Sequence, residues 1–257
     1  MRYALITGAS SGFGKSLSIQ LARRGYHLKL VARDEVKLKQ LKVELEAMYH
    51  IKVIVIILDL SVASSAKQLF QQYGEDVDLL INNAGVGFAG DFETMPSEQH
   101  EQMLALNVQC VQDLTYLFLG QFQRQNSGYI LNVASTAAFC SGPLMATYYA
   151  SKSYVMHLTE AISYELKKKH SNVVVSVCCP GPMATDFHKR AQLSTTRPLP
   201  STDQVAEQTV QALFARQHII LSGFSNRVLV MVNKILPRRL VLYIVYQNQR
   251  KKMKYKA

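Results

Sequence analysis

The chain has 257 residues, 48% of them apolar and 18% charged, with a formal net charge of +11. Residues 208–257 hold ten Lys or Arg and no Asp or Glu, which leaves 19 basic and 18 acidic residues in 1–207. A neutral body with a basic tail argues against nucleic-acid binding by the body, and a chain of this length is one large α/β domain or two small ones. The four cysteines, Cys110, Cys140, Cys178 and Cys179, have the spacing of neither a zinc site nor a disulfide framework, so the expectation is a reducing compartment, small core thiols and no metal. Too few apolar residues follow Met1-Arg2 for the core of a signal peptide, and no run reaches the ~18–20 apolar residues that a spanning helix needs. The expected location is the cytoplasm.

Residues 2–7 (RYALIT) read as a short buried strand, followed by the glycine turn Gly8-Ala-Ser-Ser-Gly12-Phe-Gly14 and an amphipathic helix ending near Gly25. A second strand covers 27–32 and a charged amphipathic helix 34–50. The β-branched run IKVIVIIL (51–58) reads as a parallel strand covered on both faces. A helix near 63–73, a strand at 78–82, a long helix near 97–123 and a strand near 129–134 come next. A helix carrying Tyr148 runs to about 169, with further strands at 173–179 and 218–221. Strands alternating with helices at this spacing predict one domain with a parallel sheet and helices on both faces.

Two places carry chemistry. Glycines at a first strand–helix turn let the backbone approach a pyrophosphate, which the helix N-terminus stabilises. Gly8, Ser10, Ser11, Gly12, Phe13 and Gly14 are therefore candidate cofactor-binding residues. An acid is expected at the end of the second strand to hold a ribose 2′-hydroxyl, but Ala32 and Arg33 stand there. A guanidinium at that point suits a 2′-phosphate and favours NADP(H) over NAD(H); the alternative is that Asp34 serves the ribose.

The second place is STAAFCSGPLMATYYASK (135–152), which has no charged residue before Lys152. If Tyr148 opens a helix, Lys152 shares its face one turn on. A phenol titrates near ~10, and a neighbouring ammonium is expected to draw it down toward the working range. Ser135 can hydrogen-bond the same substrate oxygen. The set suits moving a proton to or from a carbonyl or alcohol oxygen, and it has no nucleophile–base pair for acyl transfer.

Together TGASSGFG (7–14), Asp59-Leu60, NNAG (82–85), Asn107, Ser135, Tyr148-x-x-Ser-Lys152 and PGPMAT (180–185) strongly resemble the classical short-chain dehydrogenase/reductase family, in its order and spacing and across nearly all of 1–185. The resemblance implies a single-domain Rossmann fold, a doubly wound parallel sheet of about seven strands in the order 3-2-1-4-5-6-7. It implies Tyr148 as general acid/base, Lys152 on the nicotinamide ribose, Ser135 on the substrate oxygen and Asn107 holding a water that links Lys152 to solvent. It implies further cofactor contacts from Asp59 and Leu60, from Asn83, Ala84 and Gly85 near the adenosine ribose, and from Pro180, Gly181, Met183 and Thr185 near the nicotinamide amide. It also implies a homodimer or homotetramer acting on a small carbonyl or alcohol substrate, with a 3-oxoacyl thioester as the alternative. A third reading is a cofactor-binding, membrane-associated interaction or sensor protein.

Substrate choice is expected from Val86–Phe88, Phe139–Leu144 and the segment 183–200, a closing loop with His188, Lys189 and Arg190 solvated. Beyond a catalytic domain of residues 1–224, the basic, apolar extension 225–257 reads as two short helices, because Lys234 and Pro237 interrupt its apolar runs. It covers the pocket or completes an oligomer, or it lies on an anionic membrane surface. Aromatic interleaving is too sparse for nucleic acid. The tail resembles those of bacterial members of the family, which implies a bacterial, NADP-preferring member.

Overall fold

In the computed structural model, which describes residues 2–185, 187, 191 and 199–254, seven parallel strands form one sheet in the order β3-β2-β1-β4-β5-β6-β7. They are β1 (Tyr3–Thr7), β2 (His27–Ala32), β3 (Val53–Ile57), β4 (Val77–Asn82), β5 (Tyr129–Val133), β6 (Val174–Cys178) and β7 (Ile219–Ile220). The helices are α1 (Gly12–Ala22), α2 (Glu35–Tyr49), α3 (Ser65–Tyr73), α4 (Ser97–Leu104), α5 (Cys110–Gln125), α6 (Ala146–Lys168), α7 (Thr202–Phe214), α8 (Phe224–Ile235) and α9 (Arg238–Lys254).

Side chains alternate across a strand, and the inner strands are apolar on both faces because both faces are covered. Ala4 and Ile6 of β1 join Leu28 and Leu30 of β2 under α1, α2 and α7, through Leu17, Leu21, Leu38, Leu41, Val210 and Leu213. Tyr3 and Leu5 face the other way, toward Leu69 of α3, Leu114, Phe118 and Phe122 of α5 and Leu166 of α6. The chain leaves β1 for β2 on one side and re-enters at β4 on the other. The connections that leave the carboxyl ends of β1 and β4 therefore run to opposite faces of the sheet, opening a crevice at the point where ligands bind in such sheets.

Two local expectations need correction. The run at 51–58 is not one of them: Val53 packs into the layer of α1 and α2 and Ile56 into the layer of α3 and α5, so both faces are covered as expected, although β3 is an edge strand and its Ile57 is exposed. The helix expected at 97–123 is not uniform, since a wide π turn at Ala105–Gln109 separates α4 from α5. The helix α7 was not foreseen, although the Ser201 hydroxyl caps it by accepting from the Asp203 N–H at 3.2 Å and Val205, Ala206, Val210 and Leu213 repeat at helical spacing. The extension does form two helices, and they break at Leu236-Pro237.

Candidate active site

Thr7, the last residue of β1, organises the crevice. Its Oγ1 accepts from the N–H groups of both Asn83 and Ala84 at 2.9 Å, and the Asn83 side chain donates back to the Thr7 carbonyl at 2.9 Å. The loop after β4 is thus clamped to the turn after β1. Gly8 and Gly12 occupy positive φ, at 67° and 53°, where a side chain is strained. Gly14 is excluded from having one on other grounds, because a Cβ there would lie 2.3 Å from the Gly8 carbonyl oxygen and 2.5 Å from Asn83 Nδ2. Gly14→Ala is accordingly expected to lower stability by about 2–3 kcal/mol, the range of overpacking in a rigid site, and to weaken dinucleotide binding. Urea unfolding and NADPH titration of the variant check this; wild-type values in both would refute it.

At the end of β2, Arg33 pairs with Asp59 at 3.5 Å, both side chains being substantially exposed. Asp34 caps α2, accepting from the Lys37 N–H at 3.1 Å and pairing with the Lys37 ammonium at 3.1 Å. The hydrogen bonds from Lys37 hold its carboxyl below the usual range. Burial raises the Asp59 carboxyl, but hydrogen bonds from Ser61 and the nearby Arg33 outweigh it, so the net direction is down.

A network of buried amides and hydroxyls supports the opposite end. Asn82 of β4 donates to Asn132 of β5 at 2.9 Å, and Asn132 donates to Thr159 of α6 at 3.0 Å. The π turn aims Asn107 inward, where its side chain accepts from the Val86 N–H at 2.9 Å and donates to the Val86 carbonyl at 2.8 Å and to Ser151 Oγ at 3.2 Å. Glycine at 85 leaves room between Asn107 and Lys152, since a Cβ there would meet Asn107 Oδ1 at 3.1 Å and Lys152 Nζ at 3.3 Å.

Tyr148 lies in the first turn of α6, its ring 5.2 Å from that of Phe187. Lys152 follows on the same helix, with Nζ bonded to the Val133 carbonyl at 3.0 Å and 6.0 Å from the centre of the Tyr148 ring. Ser135 lies two residues beyond β5 in extended backbone, its Oγ accepting from the Ala137 N–H at 3.1 Å. Burial pushes the Tyr148 phenol up to about 12, against a hydrogen bond from Ser135 that pulls it down. Burial also pushes Lys152 down to about 8. The expected lowering of the phenol by Lys152 is therefore not what this arrangement gives. Desolvation dominates, and the ammonium is turned to a carbonyl.

One cavity of about 770 Å³ joins the two ends. It is lined by Gly8, Ser10, Ser11, Gly12, Phe13 and Gly14 at the turn, and by Arg33, Asp59 and Leu60 at the strand ends. Asn83, Ala84 and Gly85 form one wall, Pro180, Gly181, Met183 and Thr185 another, and Ser135, Tyr148 and Lys152 the far end. Asn107 stands behind the wall, holding Val86. Of the expected substrate walls, Val86, Met183, Thr185 and Phe187 line the cavity, as do Ala137, Met145 and Tyr149. Phe139–Leu144 does not, and Gly142 packs against the Tyr149 ring instead. His188, Lys189 and Arg190 lie outside the described residues. Cys140 is half-buried, with its thiol raised by that burial, and no group of three or more potential metal ligands occurs among the described residues.

Sequence reasoning gave no role to Thr7, although the motif contained it. It also could not choose the place of α9. Gln249, 4% exposed, donates to the Tyr149 hydroxyl at 2.8 Å, and both Gln249 and Lys252 line the cavity. The tail therefore covers the pocket.

The cavity fits a dinucleotide: a cradle that a Cβ would fill, a cation at the second strand and a proton-bearing phenol at the far end. A family model described as short chain dehydrogenase matches residues 2–195. A very-long-chain 3-oxoacyl-CoA reductase of Laccaria bicolor is 33% identical over 176 residues, covering 66% of this chain and 52% of that protein. The chain spans about half to two thirds of the length of the curated relatives it matches first. Among solved structures, a short-chain dehydrogenase from Sphingobium yanoikuyae in complex with NADPH has a TM-score of 0.82 at 24% identity, covering 100% of this chain and 96% of that one. A short-chain dehydrogenase/reductase from Burkholderia phymatum in complex with NAD has a TM-score of 0.80 at 28% identity, covering 90% and 92%.

Proposed function

Because the chain belongs to the short chain dehydrogenase family, we propose that it is an NADP(H)-dependent oxidoreductase that reduces a ketone or aldehyde to an alcohol, or runs the reverse reaction. The observation that carries this reading is the meeting of Ser135, Tyr148 and Lys152 at one end of a cavity whose other end is the glycine turn and Arg33. The bound nicotinamide would supply or take up hydride at the substrate carbon. Tyr148, kept protonated by burial, gives its proton to the carbonyl oxygen as negative charge develops there. Ser135 donates a second hydrogen bond to that oxygen and fixes its position. Lys152 holds positive charge beside the phenol and would bind the nicotinamide ribose, and Asn107, which fixes Val86, would hold the water that links Lys152 to solvent. Asp59 and Leu60 would hold the adenine, Asn83, Ala84 and Gly85 its ribose, and Pro180, Gly181, Met183 and Thr185 the amide.

For the cofactor, Asp34 is committed to the α2 cap and Arg33 is held only by a long, exposed pair. Both favour a 2′-phosphate. Arg33→Ala is expected to weaken NADPH binding by about 10–100-fold, the worth of a charge-assisted hydrogen bond, and to leave NADH nearly unchanged. Fluorescence titration of both dinucleotides reads it directly, and an equal loss for both would overturn the preference.

The substrate end is apolar, built on Met103, Ala137, Met145 and Tyr148 with Val86 and Phe187 against them. This lining and the name of the fungal relative favour a 3-oxoacyl thioester as the second reading. The catalytic body is residues 1–224, with 225–257 as an extension. In this reading the protein works in the cytoplasm as a homodimer or homotetramer, and exposed Tyr116, Tyr154 and Tyr164 on α5 and α6 suit pairing of those helices. NADPH oxidation against ketones, aldehydes, quinones and 3-oxoacyl thioesters tests the function. Turnover of a carbonyl names the substrate class, whereas binding of NADPH without turnover of any of them moves the protein to the sensor reading.

A further inference from the structure

Nine of the twenty large apolar side chains exposed among the described residues lie on α8 and α9, so the exposure is concentrated, not scattered. On α8, Val228, Met231, Val232 and Ile235 recur at one helical face, with Met231 63% and Ile235 75% exposed. On α9, Leu240, Tyr243 and Ile244 repeat the pattern, and exposed Arg250 and Lys251 continue the same face toward the end of the helix. The inward faces are already used, by Val230, Val241 and Gln249. Each helix thus buries one stripe and presents another to a partner.

Charge selects the partner. The ten basic residues after position 207 have no acidic residue among them, so a second copy laid on this face would oppose cation to cation. An anionic bilayer complements it, taking the apolar side chains at the acyl boundary and the basic ones among the headgroups. No helix among the described residues is long and apolar enough to cross a membrane, so the contact lies in the plane of the surface. We propose that α8 and α9 form a docking face for anionic lipid, and that docking sets the mouth of the cavity on the bilayer. The two are mechanically coupled, because the opposite face of α9 lines the cavity through Gln249 and Lys252. A long-chain carbonyl compound dissolved in the membrane then enters beside α9 without crossing water. The docking stands by itself; the substrate class rests on the reductase reading above.

The test sediments the full chain with vesicles of phosphatidylcholine alone and of phosphatidylcholine mixed with phosphatidylglycerol. Binding is expected to be at least about tenfold stronger to the mixed vesicles, given roughly 1 kcal/mol for each basic residue near the surface, and to fall as salt is added. Met231→Asp combined with Tyr243→Asp should remove it, and so should Arg250→Glu combined with Lys251→Glu, while circular dichroism remains unchanged. The mixed vesicles should also raise the rate on a long-chain ketone several-fold and leave a water-soluble ketone unaffected. Equal binding to both vesicle types, or wild-type binding by both double variants, overturns the proposal. A dimer in light scattering that the Met231/Tyr243 variant splits overturns it too, assigning the face to a second copy. Vesicle binding with no NADPH oxidation of any soluble ketone would sink the reductase reading and the substrate class while leaving the docking intact. Turnover without vesicle binding does the reverse.

Discussion

Tyr148→Phe is expected to lower carbonyl reduction by 10²- to 10⁴-fold, the usual worth of a positioned acid, while NADPH binding changes by less than about threefold. The substitution removes one oxygen and keeps the ring. The ring packs with Met103, Ala137 and Met145 and lies 5.2 Å from Phe187, so the cavity keeps its shape. What disappears is the proton, which desolvation holds on the phenol with a pKa of about 12. The hydroxyl contributes little to stability, because its hydrogen bond to Ser135 is offset by the desolvation of a buried polar group. The melting temperature should therefore stay within a few degrees of wild type. Retained turnover in the variant would place the acid elsewhere; lost turnover with lost NADPH binding would point to a collapsed site.

Lys152→Met is expected to stop turnover and, at neutral pH, to make the dinucleotide-free protein more stable. The ammonium is 6% exposed and its pKa lies near 8, against 10.5 for an ordinary lysine. Keeping it charged at pH 7 costs on the order of 3 kcal/mol at about 1.4 kcal/mol per unit. Methionine removes that cost but leaves the Val133 carbonyl without its 3.0 Å partner, a loss of about 1 kcal/mol. The net gain is about 2 kcal/mol. Its pH dependence identifies the cause. Between pH 8 and 10.5 the folded wild type binds fewer protons at this site than the unfolded chain, so its stability rises with pH. The advantage of the variant should shrink across that window. Thermal unfolding at pH 7 and pH 10 decides the matter, and a variant that is less stable at pH 7, or whose gain does not change with pH, rules the account out.

The parts of the fold that could be read in advance are those whose determinants are local. HLKLVA folds as the expected strand because Leu28, Leu30 and Val31 are buried to either side of it and it lies between β1 and β3. Residues 51–58 form the expected strand too, but its place at the sheet edge could not be read, because β-branching reports a preference for extended backbone and not a strand's neighbours. The π turn at Ala105–Gln109 has no compositional mark, since one extra residue in a helical run leaves the apolar pattern nearly intact. Tyr148 and Lys152 could be paired by helical spacing alone, and the glycine turn by its place after β1. The direction of the Tyr148 shift could not, because it depends on burial, which many distant side chains supply. The clamp at Thr7 joins β1 to a loop 76 residues away, and nothing around Thr7 marks it as other than the last residue of a strand.

The bond from Gln249 to Tyr149 spans 100 residues. Closing a loop of that size carries an entropic cost that grows slowly with its length, and contacts of this range form late when a chain folds. On a ribosome the glycine cradle, both helical layers and the Tyr148 turn are available before α9 emerges. The nucleotide half of the crevice can thus assemble first, and the wall over the Tyr148 end is added afterwards by α9. The protein's maturation is ordered accordingly, with capacity for the dinucleotide preceding an enclosed chamber for the reacting carbonyl.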